Sequence, residues 1–166
     1  MTMKQPFEKI VSEHGATVLR VCRAVLGPHA DADDAWSETF LAALRAWPTL
    51  PADTRVDAWL VRVAHRKAID VTRSRQRREI PVDEVPDRES SLGVPGDEDL
   101  ELWAAVQRLP HRQRQAVAYH HLAGLPYREV AEILGGTTDA ARRAAADGIK
   151  ALRTTFTGDH SKGRTR

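Results

Sequence analysis

Between residues 79 and 97 the chain is rich in proline, glycine, serine and acids, and this stretch divides it in two. On either side, charged and apolar residues alternate at helical spacing. The 166 residues are enough for one ordinary domain or for two small helical ones. Neither side shows the strict alternation of a half-buried strand. The expectation is an all-α protein with modules at 6–78 and 99–153. A flexible acidic linker at 79–98 joins them, and 154–166 form a polar tail.

The first module reads as three helices. Phe7, Ile10, Val11, Val18, Leu19, Val21, Cys22, Val25 and Leu26 form an apolar stripe that stops at Gly27 and Pro28. A second helix starts near Asp31, where Asp31, Asp33 and Asp34 suit the positive end of the helix dipole. It runs through Trp36, Phe40, Leu41, Leu44 and Trp47, and Pro48 with Pro51 ends it. A third begins after Asp53 and runs to about Arg78, with Val56, Trp59, Leu60, Val63, Ala64 and Ile69 as its expected buried side.

The second module has equally clear punctuation. Leu100, Leu102, Trp103, Val106 and Leu109 precede Pro110, and a helix from His111 to Leu122 ends at Gly124. Pro126 opens the next helix, and Gly135 with Gly136 closes it. Thr137 or Thr138 can cap a last helix through Arg142, Ile149 and Leu152. The segment from Pro126 to Leu152 fits a helix-turn-helix. Ala131 is small where two steeply crossed helices would touch. Gly135, four positions on, tolerates positive φ in the turn, and Ala141 anchors the second helix. Taken alone, the pattern also suits an ordinary helical hairpin.

Charge separates sharply along the chain, although the formal net charge is only +2. From Arg62 to Arg78 there are seven cations, Arg62, Arg66, Lys67, Arg73, Arg75, Arg77 and Arg78, against Asp70, a local net of +6. So dense a cluster beside Trp59 points to nucleic acid: cations for phosphates and an aromatic for a base. One or two arginines would suit an ordinary helix C-terminus equally well. From Asp83 to Glu101, Asp83, Glu84, Asp87, Glu89, Asp97, Glu98, Asp99 and Glu101 face only Arg88, a local net of −7. This suits a solvated tether, and equally an acidic strand lying in a partner's basic groove.

Other classes fit poorly. The single cysteine forbids an intrachain disulfide, the N-terminus lacks a signal-peptide pattern, and no apolar run approaches the roughly 20 residues of a membrane span. A cytoplasmic protein without membrane insertion is expected. His111, His120, His121 and Cys22 match no zinc spacing, and His120 and His121 fall on different helix faces. No phosphate loop or nucleophile elbow is present, so neither a catalytic site, a metal nor a cofactor is expected.

The order of these features resembles the extracytoplasmic-function (ECF) sigma factors, the two-domain members of the sigma-70 family. The segment Asp31 to Leu44 is similar to the family's core-binding motif, and Asp57 to Asp70 to its minus-ten motif. Leu109 to Val117 and Gly124 to Gly135 are similar to the opening and first helix-turn-helix helix of the sigma-four domain. The resemblance spans roughly 7–78 and 99–153.

It implies a sigma subunit that directs core RNA polymerase to promoter DNA. Asp34, Ser37, Glu38, Phe40 and Leu41 would contact the β′ clamp helices, and the sigma-four domain would meet the β flap. The loop from Pro48 to Asp57 would capture a base of the melted minus-ten strand. Trp59, Arg62, His65, Arg66, Lys67, Ile69, Asp70, Arg73, Arg75 and Arg77 would lie along the upstream duplex and the fork. Arg128, Thr138, Asp139, Arg142, Arg143, Ala146 and Lys150 would meet the minus-thirty-five element, and the linker would thread the RNA exit channel. An anti-sigma factor is a further expected partner.

Two departures stand out: Ser37 replaces the family's usual Gln, and the last helix is unusually rich in alanine. Gly148 within it weakens a helix by about 1 kcal/mol relative to Ala. The competing reading is a helix-turn-helix regulator that binds DNA without serving as a sigma subunit. It gives no role to the acidic surface around Asp34 or to the linker.

Overall fold

A computed structural model describes residues 4–78 and 97–162, with side chains described for 4–77 and 101–155. The linker readings at 79–96 fall outside the described residues. Two compact units divide near Val94 and Pro95. Among the described residues every regular element is helical.

The first unit packs α1 (Phe7–Leu26), α2 (Ala30–Ala46) and α3 (Val56–Arg78), with a short 3-10 turn at Trp47–Thr49. Ile10, Val18, Val21, Cys22, Val25 and Leu26 supply the buried stripe of α1. Ala32, Ala35 and Ala43 on α2 are at most 1% exposed, so that helix meets its neighbours nearly backbone to backbone. Thr39 is fully buried between them and donates its hydroxyl to the Ala35 carbonyl at 2.6 Å, which satisfies the polar group. Cys22 is 1% exposed, and burial, with Asp33 adding to it, pushes its thiol up to about 12.

The buried side of α3 is rotated from the one expected. Leu60, Val61, Ala64 and Ala68 form it, while Val56, Trp59, Val63 and Ile69 are only half-buried at its margins. Alanine at 64 and 68 leaves room for the neighbouring helices, and the larger β-branched and aromatic side chains sit where the interface opens out.

Arg75 joins all three helices. Its Nη2 donates to the carbonyl of Leu26 at 3.2 Å, and its Nε donates to Asp31 at 2.6 Å. A cation thus meets the negative end of α1, while a carboxylate stays at the positive end of α2. The half-exposed side chain read from the sequence as a DNA contact is occupied in holding the unit together.

The second unit contains α4 (Asp97–Arg108), α5 (His111–Val117), a π-helical turn at Ala118–Leu122, α6 (Tyr127–Leu134) and α7 (Thr138–Lys162). The Arg114 guanidinium donates to the carbonyls of Gln107 at 2.7 Å and Leu109 at 3.1 Å, tying the end of α4 to α5. Tyr119, Leu125, Val130, Ala116 and Ala118 are fully buried. Gly135 ends α6 with φ of 76°, and its N–H bonds the Ala131 carbonyl at 2.8 Å. Arg112 donates to the Gly135 carbonyl and braces the turn from α5. Thr137 caps α7 by accepting the Ala140 N–H at 3.0 Å. The last helix continues to Lys162, past the end near residue 153 read from the sequence. The exposed hydroxyls of Thr154 and Thr155 donate to the helix carbonyls of Lys150 and Ala151 at 3.0 and 3.1 Å.

On α7, Ala141, Ala145, Gly148 and Leu152 recur at spacings of four, three and four and are buried. Gly148 is the point of closest approach, because a Cβ there would lie 2.6 Å from Cγ2 of Val117 and 3.4 Å from the Gln113 carbonyl. The intrinsic helix penalty of this glycine is therefore offset by packing. Gly148→Ala should lower unfolding stability by about 1–3 kcal/mol through overpacking. Gly15→Ala places its Cβ 3.6 Å from Trp36 in ordinary contact and should be neutral or stabilising. Thermal melts of the full chain followed by circular dichroism check both signs.

Candidate nucleic-acid interface

Three surfaces stand out in the described residues. The first is the outer face of α2. Asp34, Ser37, Glu38, Leu41, Leu44 and Arg45 are exposed and follow one another at helical spacing. Leu41 and Leu44 are 52% and 50% exposed, an unusual state for neighbouring leucines and one that suits a docking face. Phe40 does not belong to this face. It is 6% exposed, with its ring 4.8 Å from Trp36 and 6.4 Å from Phe7. The expected contact at Phe40 is corrected accordingly: the ring points inward because residues at 36 and 40 share the buried side of α2. Leu44, three residues beyond Leu41, was read from the sequence only as part of the helix's apolar run; the same three-four spacing places it on the exposed face.

The second surface is the outer stripe of α3. Arg62, Arg66, Asp70, Arg73 and Arg77 are exposed at spacings of four, four, three and four. His65 and Ile69 are half-buried beside it, and Lys67 reaches toward Glu38 of α2 at 3.9 Å. Trp59 lies at the head of this stripe, half-buried, with its ring 6.3 Å from Trp47.

Between these two tryptophans runs the loop from Pro48 to Arg55, largely exposed. Its start is held from the N-terminal side, a feature absent from the sequence reading. Lys4 donates to the carbonyls of Trp47 and Leu50, the latter at 2.5 Å, and its ammonium stands 4.7 Å from the Trp47 ring centroid. The Trp47 indole donates to the Gln5 carbonyl at 3.2 Å. No sequence periodicity links positions 43 apart, so only the folded chain reveals this strap. At the far end of the loop, burial alone pushes the Asp57 carboxyl up. Hydrogen bonds from Arg55 and the Ala58 N–H, and the charges of Arg55 and His14, outweigh it and hold the group below the ordinary aspartate value.

The third surface is the outer face of α7. Asp139, Arg142, Arg143, Ala146 and Lys150 are exposed, Thr138 is half-buried, and Arg128 is exposed on α6. Arg142 donates to Asp139 at 2.9 Å, and its guanidinium carbon lies 5.4 Å from the centroid of Tyr127. Behind it, His120 stacks on Tyr127 with centroids 3.8 Å apart. The rings of His120 and His121 meet in a T-shaped arrangement with centroids 4.8 Å apart, and His121 is the more exposed of the two.

A helical bundle with a cationic stripe and a separate helix-turn-helix unit together define a two-module DNA-recognition protein. Comparison with known proteins agrees. Residues 10–78 match the family model for Sigma-70 region 2, and residues 99–152 match that for Sigma-70, region 4. The chain is 32% identical over 154 residues to the ECF RNA polymerase sigma factor BldN of Streptomyces coelicolor, covering 88% of this chain and 58% of that protein. It is 29% identical over 150 residues to the RNA polymerase sigma factor NccH of Alcaligenes xylosoxydans xylosoxydans, covering 84% and 81%. A solved structure of the sigma factor RpoE with the anti-sigma factor NepR from Bartonella quintana aligns with a TM-score of 0.72 at 18% identity, covering 90% of this chain and 98% of that one. The chain belongs to the sigma-70 family.

Arg73 and Arg75 lie two residues apart in the same basic run but are placed differently. Arg73→Ala should reduce the salt slope of DNA binding by about one while leaving the thermal midpoint in place. Arg75→Ala should lower the midpoint and change the slope little. Titrations at several salt concentrations, alongside melts, separate the two.

Proposed function

We propose that this chain is the promoter-recognition subunit of a bacterial RNA polymerase, acting in the cytoplasm by binding alone, with no catalytic step of its own. The observation that carries the reading is the paired exposure of Leu41 and Leu44 on a helix whose neighbouring exposed residues, Asp34 and Glu38, are acidic. Such a face fits a basic coiled coil with an apolar seam, the chemistry expected of the β′ clamp helices. Docking would bury both leucines, while the acids would steer the encounter and fix its register.

The stripe of Arg62, Arg66, Arg73 and Arg77 then meets the phosphates of the upstream duplex. The loop from Pro48 to Asp57, held by Lys4 at one end and by Arg55 and Asp57 at the other, receives a base flipped from the minus-ten strand. Trp59 and Trp47 supply apolar walls nearby. In the second unit, α7 enters the major groove of the minus-thirty-five element with Arg142, Arg143 and Lys150. This unit also meets the β flap. An anti-sigma factor would hold the subunit inactive by covering these same surfaces.

Reconstitution with core polymerase lacking its own sigma subunit tests the proposal. Run-off transcription from a promoter library should give template-specific transcripts. Leu41→Glu with Leu44→Glu should weaken core binding by about a hundredfold, as expected for central apolar contacts, with no loss of helicity. DNA binding without initiation would identify a regulator that is not a sigma subunit.

A further inference from the structure

Arg142 projects from an α7 whose neighbouring positions are mostly alanine, so little beside it on the helix limits its rotamers. Two contacts do so instead. Asp139, one turn earlier, accepts from Nη1 at 2.9 Å, and Tyr127 of α6 carries the guanidinium over its ring at 5.4 Å. Tyr127 is itself fixed. His120 stacks on it at 3.8 Å with an interplanar angle of 15°, and Nδ1 of His120 lies 2.8 Å from the carbonyl of Leu125. A carbonyl only accepts, so Nδ1 carries the proton in that bond and the imidazole is oriented by the backbone. Leu125 is fully buried, and its N–H bonds the carbonyl of the equally buried Tyr119, so the chain of contacts starts in the core.

We propose that Tyr127 is a positioning residue for base readout: with Asp139 it restricts Arg142 to one orientation, from which the guanidinium addresses a guanine edge in the major groove. The inference rests on the proposed use of α7 as the minus-thirty-five reader and adds the device that gives that reader its selectivity. An unrestrained arginine reaches phosphates and several base edges alike. An arginine braced by an aromatic face and a carboxylate presents its donor fork in one direction, and the O6 and N7 atoms of guanine match that fork. Asp139 also disfavours closely approaching phosphates, which turns the same guanidinium away from non-specific contacts. His120 lies within the π-helical turn, and such turns recur at functional sites.

The test uses holoenzyme reconstituted from the full chain and core polymerase, with double-stranded promoters randomised over the upstream element and transcripts counted by sequence. In the wild type one position should prefer G, and Arg142→Ala should abolish that preference. Tyr127→Leu should reduce the preference at this position by about three- to tenfold, the loss expected from one exposed cation–π contact and its ordering. Preferences elsewhere should stay unchanged. Tyr127→Phe, which keeps the ring, should behave as wild type. A purely structural role for Tyr127 would instead depress transcription from every sequence alike, and that result overturns the inference. Equal loss of the preference in Tyr127→Phe and Tyr127→Leu also overturns it, because the ring face would then be irrelevant. If Arg142→Ala leaves the profile untouched, the reading of α7 as a groove reader fails and this inference falls with it. If Arg142→Ala changes the profile but Tyr127→Leu does not, only the present inference fails.

Discussion

Three helices that bury mostly alanine and valine have little apolar area with which to resist opening, and the contact of Arg75 with the ends of α1 and α2 compensates. One guanidinium satisfies a terminal carbonyl of α1 and the Asp31 carboxylate in the first turn of α2. Both interactions run with the helix dipoles rather than against them. They tie the C-terminal end of α3 to the turn at Gly27 and Pro28, while Leu60, Val61, Ala64 and Ala68 set which side of α3 faces water. The outward direction of Arg62, Arg66, Arg73 and Arg77 follows from that placement. Loss of this contact would loosen the C-terminal end of α3, where Arg73 and Arg77 stand.

The second unit solves the same shortage of area by close approach. Gly148, Ala145 and Ala141 let α7 lie directly on α5, and the buried Tyr119 and Leu125 fill the space beyond. The alanines that make the last helix look poor in recognition chemistry thus divide into two sets. Ala141 and Ala145 pack inward, whereas Ala146 faces outward beside Arg142 and Arg143. The outward face is chemically sparse, so its few charged groups carry correspondingly more of any selectivity.

Much of this organisation is legible in the sequence because helix boundaries are written in local chemistry. Gly27 with Pro28, Pro110, and Gly135 with Gly136 stop helices wherever they occur, and Thr137 caps as its hydroxyl allows. The stepping of arginines along α3 likewise follows from helical periodicity. Two kinds of feature escaped. Rotation of a helix about its axis depends on which neighbours can approach, so Phe40 was read as outward and Val61 and Ala68 were missed as core. Contacts between distant positions leave no periodic trace, which hides the Lys4 strap and the double role of Arg75. The π-helical turn at Ala118–Leu122 also had no signature, since its residues would suit an α-helix equally well.

The burial of Cys22 has a practical corollary. The chain's lone sulfhydryl is buried, with its ionisation displaced far above neutrality, so the folded molecule is chemically silent toward thiol-directed dyes. A cysteine introduced on either unit would be the sole labelling position without altering the native one. Pairs of such positions would allow the distance between the two modules to be followed by fluorescence as the protein engages its partners.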